Sequence, residues 1–347
     1  MIKSLPFVFT ALLFIAGCRE KENYPQVSTF AGTGAMGKAD GTGTSASFAN
    51  LMGLAIDTAG NIFVADSHNN LVRKITPGGV VTTIAGNGNI GAADGTGAAA
   101  SFFNPEYVAV DKSGNIYVSD THNSLIRKIT QAGVVTTIAG RRFDSGTTTK
   151  DTSIKFDNPA GIAVDEYGNV YVADWGNDRI RKITASGRVT NFAGCGVPGA
   201  KDGVGDAASF YLPWGIAVNS AGSIFVADSY NNMIRKISPV GVVTTFAGKK
   251  ARGANDGKDT AASFFHPAGI AIDAHDNIYV ADAGNNKIRK ITAGGVVTTI
   301  AGSGLRGFAN GRDTAATFYR PYSVVADKNG NVFVADYLNN VVRKISF

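Results

Sequence analysis

Two cysteines among 347 residues, Cys18 and Cys195, are too few for a scaffold stapled by disulfides. Such a chain must hold its fold by packing, and Cys195 is expected as an unpaired structural thiol. Charge is also scarce: 17% of residues are Asp, Glu, Lys or Arg, and the net charge is only +6. No Ser/His/Asp or Cys/His arrangement suited to nucleophilic catalysis stands out. The N-terminal apolar run, residues 6–17, covers twelve residues, short of the roughly 20 that a membrane-spanning helix needs. Glycine, by contrast, is plentiful at 43 residues. Without a strict triplet period, that abundance excludes a collagen-like fibre and implies many turns. The length allows one large core or two modest domains.

The first 17 residues read as a leader rather than as part of the fold. Lys3 supplies a positive start, and the twelve-residue apolar run suits a signal-peptide core. It ends in Ile15-Ala16-Gly17-Cys18, which resembles the lipobox of bacterial lipoproteins. The resemblance implies cleavage before Cys18 and acylation of that residue, and several acyl chains together give stable anchoring. Residues 18–26 then form a polar tether (REKENYPQ after the cysteine) whose charged start is similar to surface-export signals of some Gram-negative lipoproteins. The expected location is the bacterial cell envelope, with a lipid anchor in the outer membrane. The periplasmic side and the cell surface both stay open.

Residues 27–347 consist of one unit repeated six times. The segments NIFVAD, NIYVSD, NVYVAD, SIFVAD, NIYVAD and NVFVAD end at Asp66, Asp120, Asp174, Asp228, Asp282 and Asp336, each 54 residues after the last. Every unit holds four short stretches rich in β-branched and aromatic residues, separated by turn signals. None is long enough for a helix. Four strands repeated six times predict an all-β, six-bladed β-propeller. The chain ends support a closed ring. Val27-Ser-Thr-Phe-Ala-Gly32 aligns with the fourth strand of a unit, and the last copy stops at Phe347 after its third. The N-terminal strand is therefore expected to complete the last blade and remove an open sheet edge.

A strand ending in V-x-D, a D-x-x-G-N turn, the Y/F-V-A-D strand, an N-N or N-D turn and an R-K-I strand together resemble the NHL repeat family. The resemblance spans residues 27–347. No tryptophan-aspartate dipeptide closes the third strand and no kelch double-glycine pattern occurs. The family implies a binding platform in most cases, with enzymes among its relatives.

A residue present in all six copies meets a need that arises six times. Asp66 and its equivalents are expected to accept backbone hydrogen bonds that close the following turn. Arg73, Arg127, Arg181, Arg235, Arg289 and Arg343 are each followed by lysine and supply a large share of the positive charge. They are expected to pack near the repeated Asp with the lysines in solvent; a basic ring for nucleic acid is the weaker alternative. The Asp-Gly pairs at Asp40, Asp94, Asp202 and Asp256, with Asn310 in register and Thr148 in the third loop, read as turn chemistry. One carboxylate per loop is a poor supply for calcium. Asp206, Asp259 and Asp313 look like N-caps of short helical turns, and Phe48, Phe102, Phe156, Phe210, Phe264 and Phe318 like the loops' shared anchors.

The loops into the innermost strands and the turns after the second strands share one face, where the copies differ most. Aligned positions there are Met52, Glu106, Ala160, Trp214, Ala268 and Tyr322. Two residues earlier stand Asn50, Asn104, Asn158, Leu212, His266 and Arg320, and after the repeated Asp come His68, His122, Trp175, Tyr230 and Tyr337. Glu106, Trp214, Tyr322, Met52, His266, Arg320, Trp175, Tyr230, His68 and His122 are the candidate ligand rim. Three readings follow. The first is an anchored module recognising an extracellular glycan, peptide or protein, monomeric, with no cofactor and no nucleic acid. The second, implied by gluconolactonase-like hydrolases and amidating lyases among six-bladed relatives, is a metal-dependent enzyme using calcium or zinc. For it, only Glu106 is acidic at the rim and three converging ligands are not visible. The third is a structural or assembly platform.

Overall fold

The computed structural model of the chain describes residues 24–141 and 155–347. Cys18, most of the tether and Thr148 lie outside the described residues. Six antiparallel sheets form a ring. The inner strands, Leu54–Ile56, Pro105–Val110, Pro159–Val164, Pro213–Val218, Pro267–Ile272 and Pro321–Ala326, open blades 1 to 6 in chain order and contact one another around the axis. The second strands (Ile62–Asp66 in blade 1) are buried at every residue. Both of their faces lie against neighbouring blades, which is why they read as unbroken apolar runs. The fourth strands lie where the blades splay apart, and they alternate instead: Val80–Ala85 has Val81 and Ala85 buried between exposed or half-buried residues. The cores fill the wedges between blades, as where Ala65, Val72 and Phe63 of blade 1 pack with Phe102, Val108 and Val118 of blade 2.

The last blade is completed by the start of the propeller. Gln26–Ala31 pairs antiparallel with Val341–Ser346, setting Val27 opposite Ile345 and Ser28 opposite Lys344. Asn50 N–H then donates to Asn340 Oδ1 at 2.8 Å, tying blade 6 to blade 1. The same link recurs between blades 1 and 2, 3 and 4, 4 and 5, and 5 and 6.

Four strands per blade proves one too few. In five blades the incoming loop lays a two-residue strand along the outside of the fourth, as Gly41–Thr42 does against Val80 and Val81. Blade 3 shows four strands, and much of its incoming loop lies outside the described residues. A loop leaving one blade thus covers the open edge of the next before turning inward.

The repeated polar residues explain how that loop is held. A bulge between the third and fourth strands recurs beside each arginine, and bulges re-aim side chains. Arg73, fully buried, donates from Nη1 to Asp66 Oδ2 at 2.6 Å and from Nη2 to Asp40 Oδ1 at 2.7 Å, with its guanidinium 5.3 Å from the Phe48 ring. Asp40 also accepts the backbone N–H and hydroxyl of Thr83. The Asp-Gly aspartates are therefore clasps on the fourth strand, not merely turn formers. The pattern repeats at Arg127, Arg235 and Arg289, and Asn310 replaces the aspartate at Arg343. Arg181 differs, reaching Asp174 through Nε at 2.7 Å. The repeated aspartates hold the following turn through a side chain rather than its backbone: Asp66 Oδ2 accepts from Asn69 Nδ2 at 2.8 Å, while Oδ1 accepts the amide of Ala49, seventeen residues back. Because both ions are buried, the pair brings little net stability; its value lies in fixing one geometry, since an unpartnered member would strand a charge. Asp206, Asp259 and Asp313 are not N-caps either. They lie inside single 3-10 turns whose preceding residues make no side-chain cap.

Candidate functional site

Each inner strand is preceded by a residue in the left-handed region. Asn50, Asn104 and Asn158 take φ of 50°, 50° and 47° in blades 1 to 3. Asparagine tolerates this conformation better than most residues. In blades 4 to 6 the backbone is unchanged, with φ of 49°, 45° and 51°, but the occupants are Leu212, His266 and Arg320. Leucine and arginine are poor tenants of this region. Strain of this kind, of order 1 kcal/mol or more per residue, tends to cluster at ligand sites.

The three exceptional blades share a pocket of ≈ 270 Å³ on the loop face, lined among others by Trp175, Trp214, Tyr230, His266, Arg306, Arg320 and Tyr322. Its wall is a chain of rings: Trp175 to Trp214 at 5.9 Å between centroids, Trp214 to Tyr322 at 5.5 Å, and Tyr322 to Tyr337 at 4.8 Å. Edge-to-face contacts of this type stiffen a wall without filling it. Tyr230 stacks edge-on against His266 at 4.6 Å. The indole nitrogens of Trp175 and Trp214 are buried without a well-aligned partner; that of Trp214 lies close enough to the Tyr107 phenol to influence it. Larger clefts of ≈ 500 and ≈ 570 Å³ lie between the first hairpins of neighbouring blades, lined by the turn residues Asp165, Asn169, Asp327 and Asn331. Those residues belong to the repeated D-x-x-G-N turn, so these clefts are gaps between like hairpins.

Six of the ten rim candidates meet in the loop-face pocket. Met52 and Glu106 do not reach it: they are 6% and 8% exposed. His68 and His122 are exposed on blades 1 and 2 and stand outside its lining, His122 lying against Phe103. The residues after the repeated Asp in fact form two columns. Trp175 and Tyr337 follow it directly and join the ring wall, whereas His68, His122 and Tyr230 stand one residue further.

The floor of the bowl comes from a column that the rim comparison passed over. Just inside the rim, successive blades carry Gly53, Tyr107, Gly161, Gly215, Gly269 and Ser323. The glycines are required by contact: a Cβ on Gly215 would stand 2.2 Å from the Ala268 carbonyl oxygen. Tyr107 alone is bulky. It is buried, its hydroxyl donates to the Tyr322 carbonyl at 2.8 Å, and Ser323 and Trp214 both act on its phenol. Reaching from blade 2 to blades 4 and 6, it lies across the axis. A single large residue in a column of small ones was the available signal. Glu106 beside it accepts one hydrogen bond, from Asn104 Nδ2 at 3.1 Å. Burial without a neighbouring cation pushes its carboxyl up to about 8, so at neutral pH it is mostly uncharged.

Among the described residues no three His, Cys, Asp or Glu side chains converge as metal ligands, and no helix is long and apolar enough to cross a membrane. Cys195 is a free, half-buried thiol.

The geometry agrees with relationships across known proteins. The family model of the NHL repeat matches residues 103–129, 156–183 and 210–237, and that of the teneurin NHL domain matches residues 247–308. The chain is 30% identical over 313 residues to protein SUPPRESSOR OF QUENCHING 1, chloroplastic, of Arabidopsis thaliana, covering 84% of this chain and 30% of that protein. It is 28% identical over 332 residues to NHL repeat-containing protein 2 of Bos taurus, covering 84% and 45%. The chain thus spans less than half the length of either relative. An auxiliary nutrient binding protein from Bacteroides thetaiotaomicron shares the fold with a TM-score of 0.71 at 16% identity, over 93% of this chain and 76% of that one. Repeat motif, ring closure and matched units agree: the chain is a six-bladed β-propeller built of NHL repeats.

Proposed function

We propose that this propeller is an exported, lipid-anchored recognition module that captures an extracellular glycan, peptide or protein on its loop face. One observation carries the reading. The three blades that abandon asparagine at the strained left-handed position all border the aromatic pocket, and of the other three only blade 3 reaches it, through Trp175. A backbone held strained while its tenant changes is what selection for a ligand produces, since packing alone favours asparagine at all six positions. The nutrient-binding name of the Bacteroides neighbour is compatible with it, and that likeness speaks to fold alone. The metal-dependent hydrolase has no ligand cluster among the described residues to rest on.

Two expected outcomes test the proposal. In a thermal-shift screen of the full chain against glycan and peptide panels, a ligand at a hundred times its Kd adds about 2.7 kcal/mol of stability. The shift should vanish in Trp175→Ala and Tyr230→Ala. A ligand whose shift survives both changes binds elsewhere, and the site is then wrong. The anchor is tested separately: Cys18→Ser should move the protein from the membrane fraction to the soluble one, and continued membrane attachment would exclude lipidation at Cys18.

A further inference from the structure

The pocket's charge narrows the ligand, on the footing of the recognition role just proposed. Arg306 and Arg320 line it, and no Asp or Glu does. Arg252 stands at the position equivalent to Arg306 in the preceding loop, where other loops carry Met36, Ile90 and Pro198. All three arginines are exposed, and none forms an ion pair with a described residue. Arg252 lies over the Phe265 ring at 5.4 Å and Arg306 over Tyr319 at 5.7 Å. These contacts hold the guanidinium groups at the pocket's lip. Burial favours the neutral form of His266, and the charges of Arg320 and Arg252 add to it. The bowl's one carboxyl, Glu106, is mostly neutral and offers them little counter-charge.

The ring wall of Trp175, Trp214 and Tyr322 runs beside this basic lip, Tyr322 standing two residues after Arg320. A ligand that meets both the wall and the lip needs a flat apolar face for the rings and an anionic group for the arginines. A volume of ≈ 270 Å³ holds one such ring. An acidic peptide side chain would satisfy the charge and leave the wall uncovered. We infer that the pocket binds an anionic pyranose unit of a glycan, its ring face on Trp214 and Tyr322 and its carboxylate or sulfate between Arg306 and Arg320.

Calorimetric titration of the full chain should separate the cases, using tetragalacturonate, a sulfated galactan tetramer, neutral galactotetraose and a hexaglutamate peptide. At least one acidic sugar should bind ten-fold or more tightly than the neutral one, and its advantage should shrink as salt rises. Whether the uronate or the sulfated oligomer wins identifies the anionic group. Arg320→Asn should erase the advantage while melting no lower than the parent, because asparagine suits that backbone. Equal binding of the neutral tetramer would overturn the anionic assignment and leave the pocket a recognition site. A preference for hexaglutamate, or no binding by any sugar, would overturn it as well. Acidic-sugar binding unchanged in Arg320→Asn would remove the anion from this lip, and binding unchanged in Trp175→Ala would count against the pocket itself.

Discussion

Removing Gln26–Ala31 is expected to lower stability by about 5 kcal/mol or more. Val27 and Ala31 are fully buried, and Phe30 packs edge-on against Phe333 at 4.9 Å. Losing two large apolar side chains from the interior costs roughly 1.5–3 kcal/mol each, and the ladder of bonds to Val341–Ser346 goes with them. The two-residue strand Gly311–Arg312, which pairs only with Gln26 and Val27, also loses its partner. The third strand of blade 6 would then present a bare edge, and such edges recruit other chains. Urea denaturation should therefore show an earlier midpoint, light scattering should show self-association, and a synthetic peptide covering residues 24–32 should reverse both. An unchanged midpoint would mean that this strand does not close the ring.

The second large effect depends on pH. Glu106 has its folded-state carboxyl raised from 4.5 to about 8 by burial. As pH rises past the unfolded value, the unfolded chain gives up its proton first and stability falls. The fall ends once the folded carboxyl also ionises near pH 8. The accumulated loss is of order 5 kcal/mol. Glu106→Gln keeps the shape and removes the titration. The variant should match the parent at pH 4 to 5 and exceed it by several kcal/mol at pH 9. Parallel stability curves for the two proteins between those limits would show that Glu106 ionises freely in the folded state.

Much of this was legible because the repeat has a fixed period. With Asp66 recurring every 54 residues, each column of the alignment states a need common to six blades, and buried Arg73, anchored Phe48 and the complementary ends could be read from it. What could not be read depends on distance across the ring. Nothing in Gly41-Thr42 marks it as a strand; it becomes one only because Asp40 beside it is clasped by Arg73. Glu106 and Trp214 occupy the same column, yet one is buried and the other lines the pocket. The left-handed backbone at Leu212, His266 and Arg320 was hidden because those residue types disguise it.

Tyr107 has one more implication. A ring of six blades would ordinarily be a tube, through which water, ions or a thin polymer could pass between its faces. With a phenol laid across the axis and bonded to blade 6, next but one around the ring, this propeller is a cup with one mouth. Whatever occupies it must leave the way it came in, so residence time is set by the loops of a single face. A polymer can be gripped by its end or by one projecting unit, but it cannot be threaded.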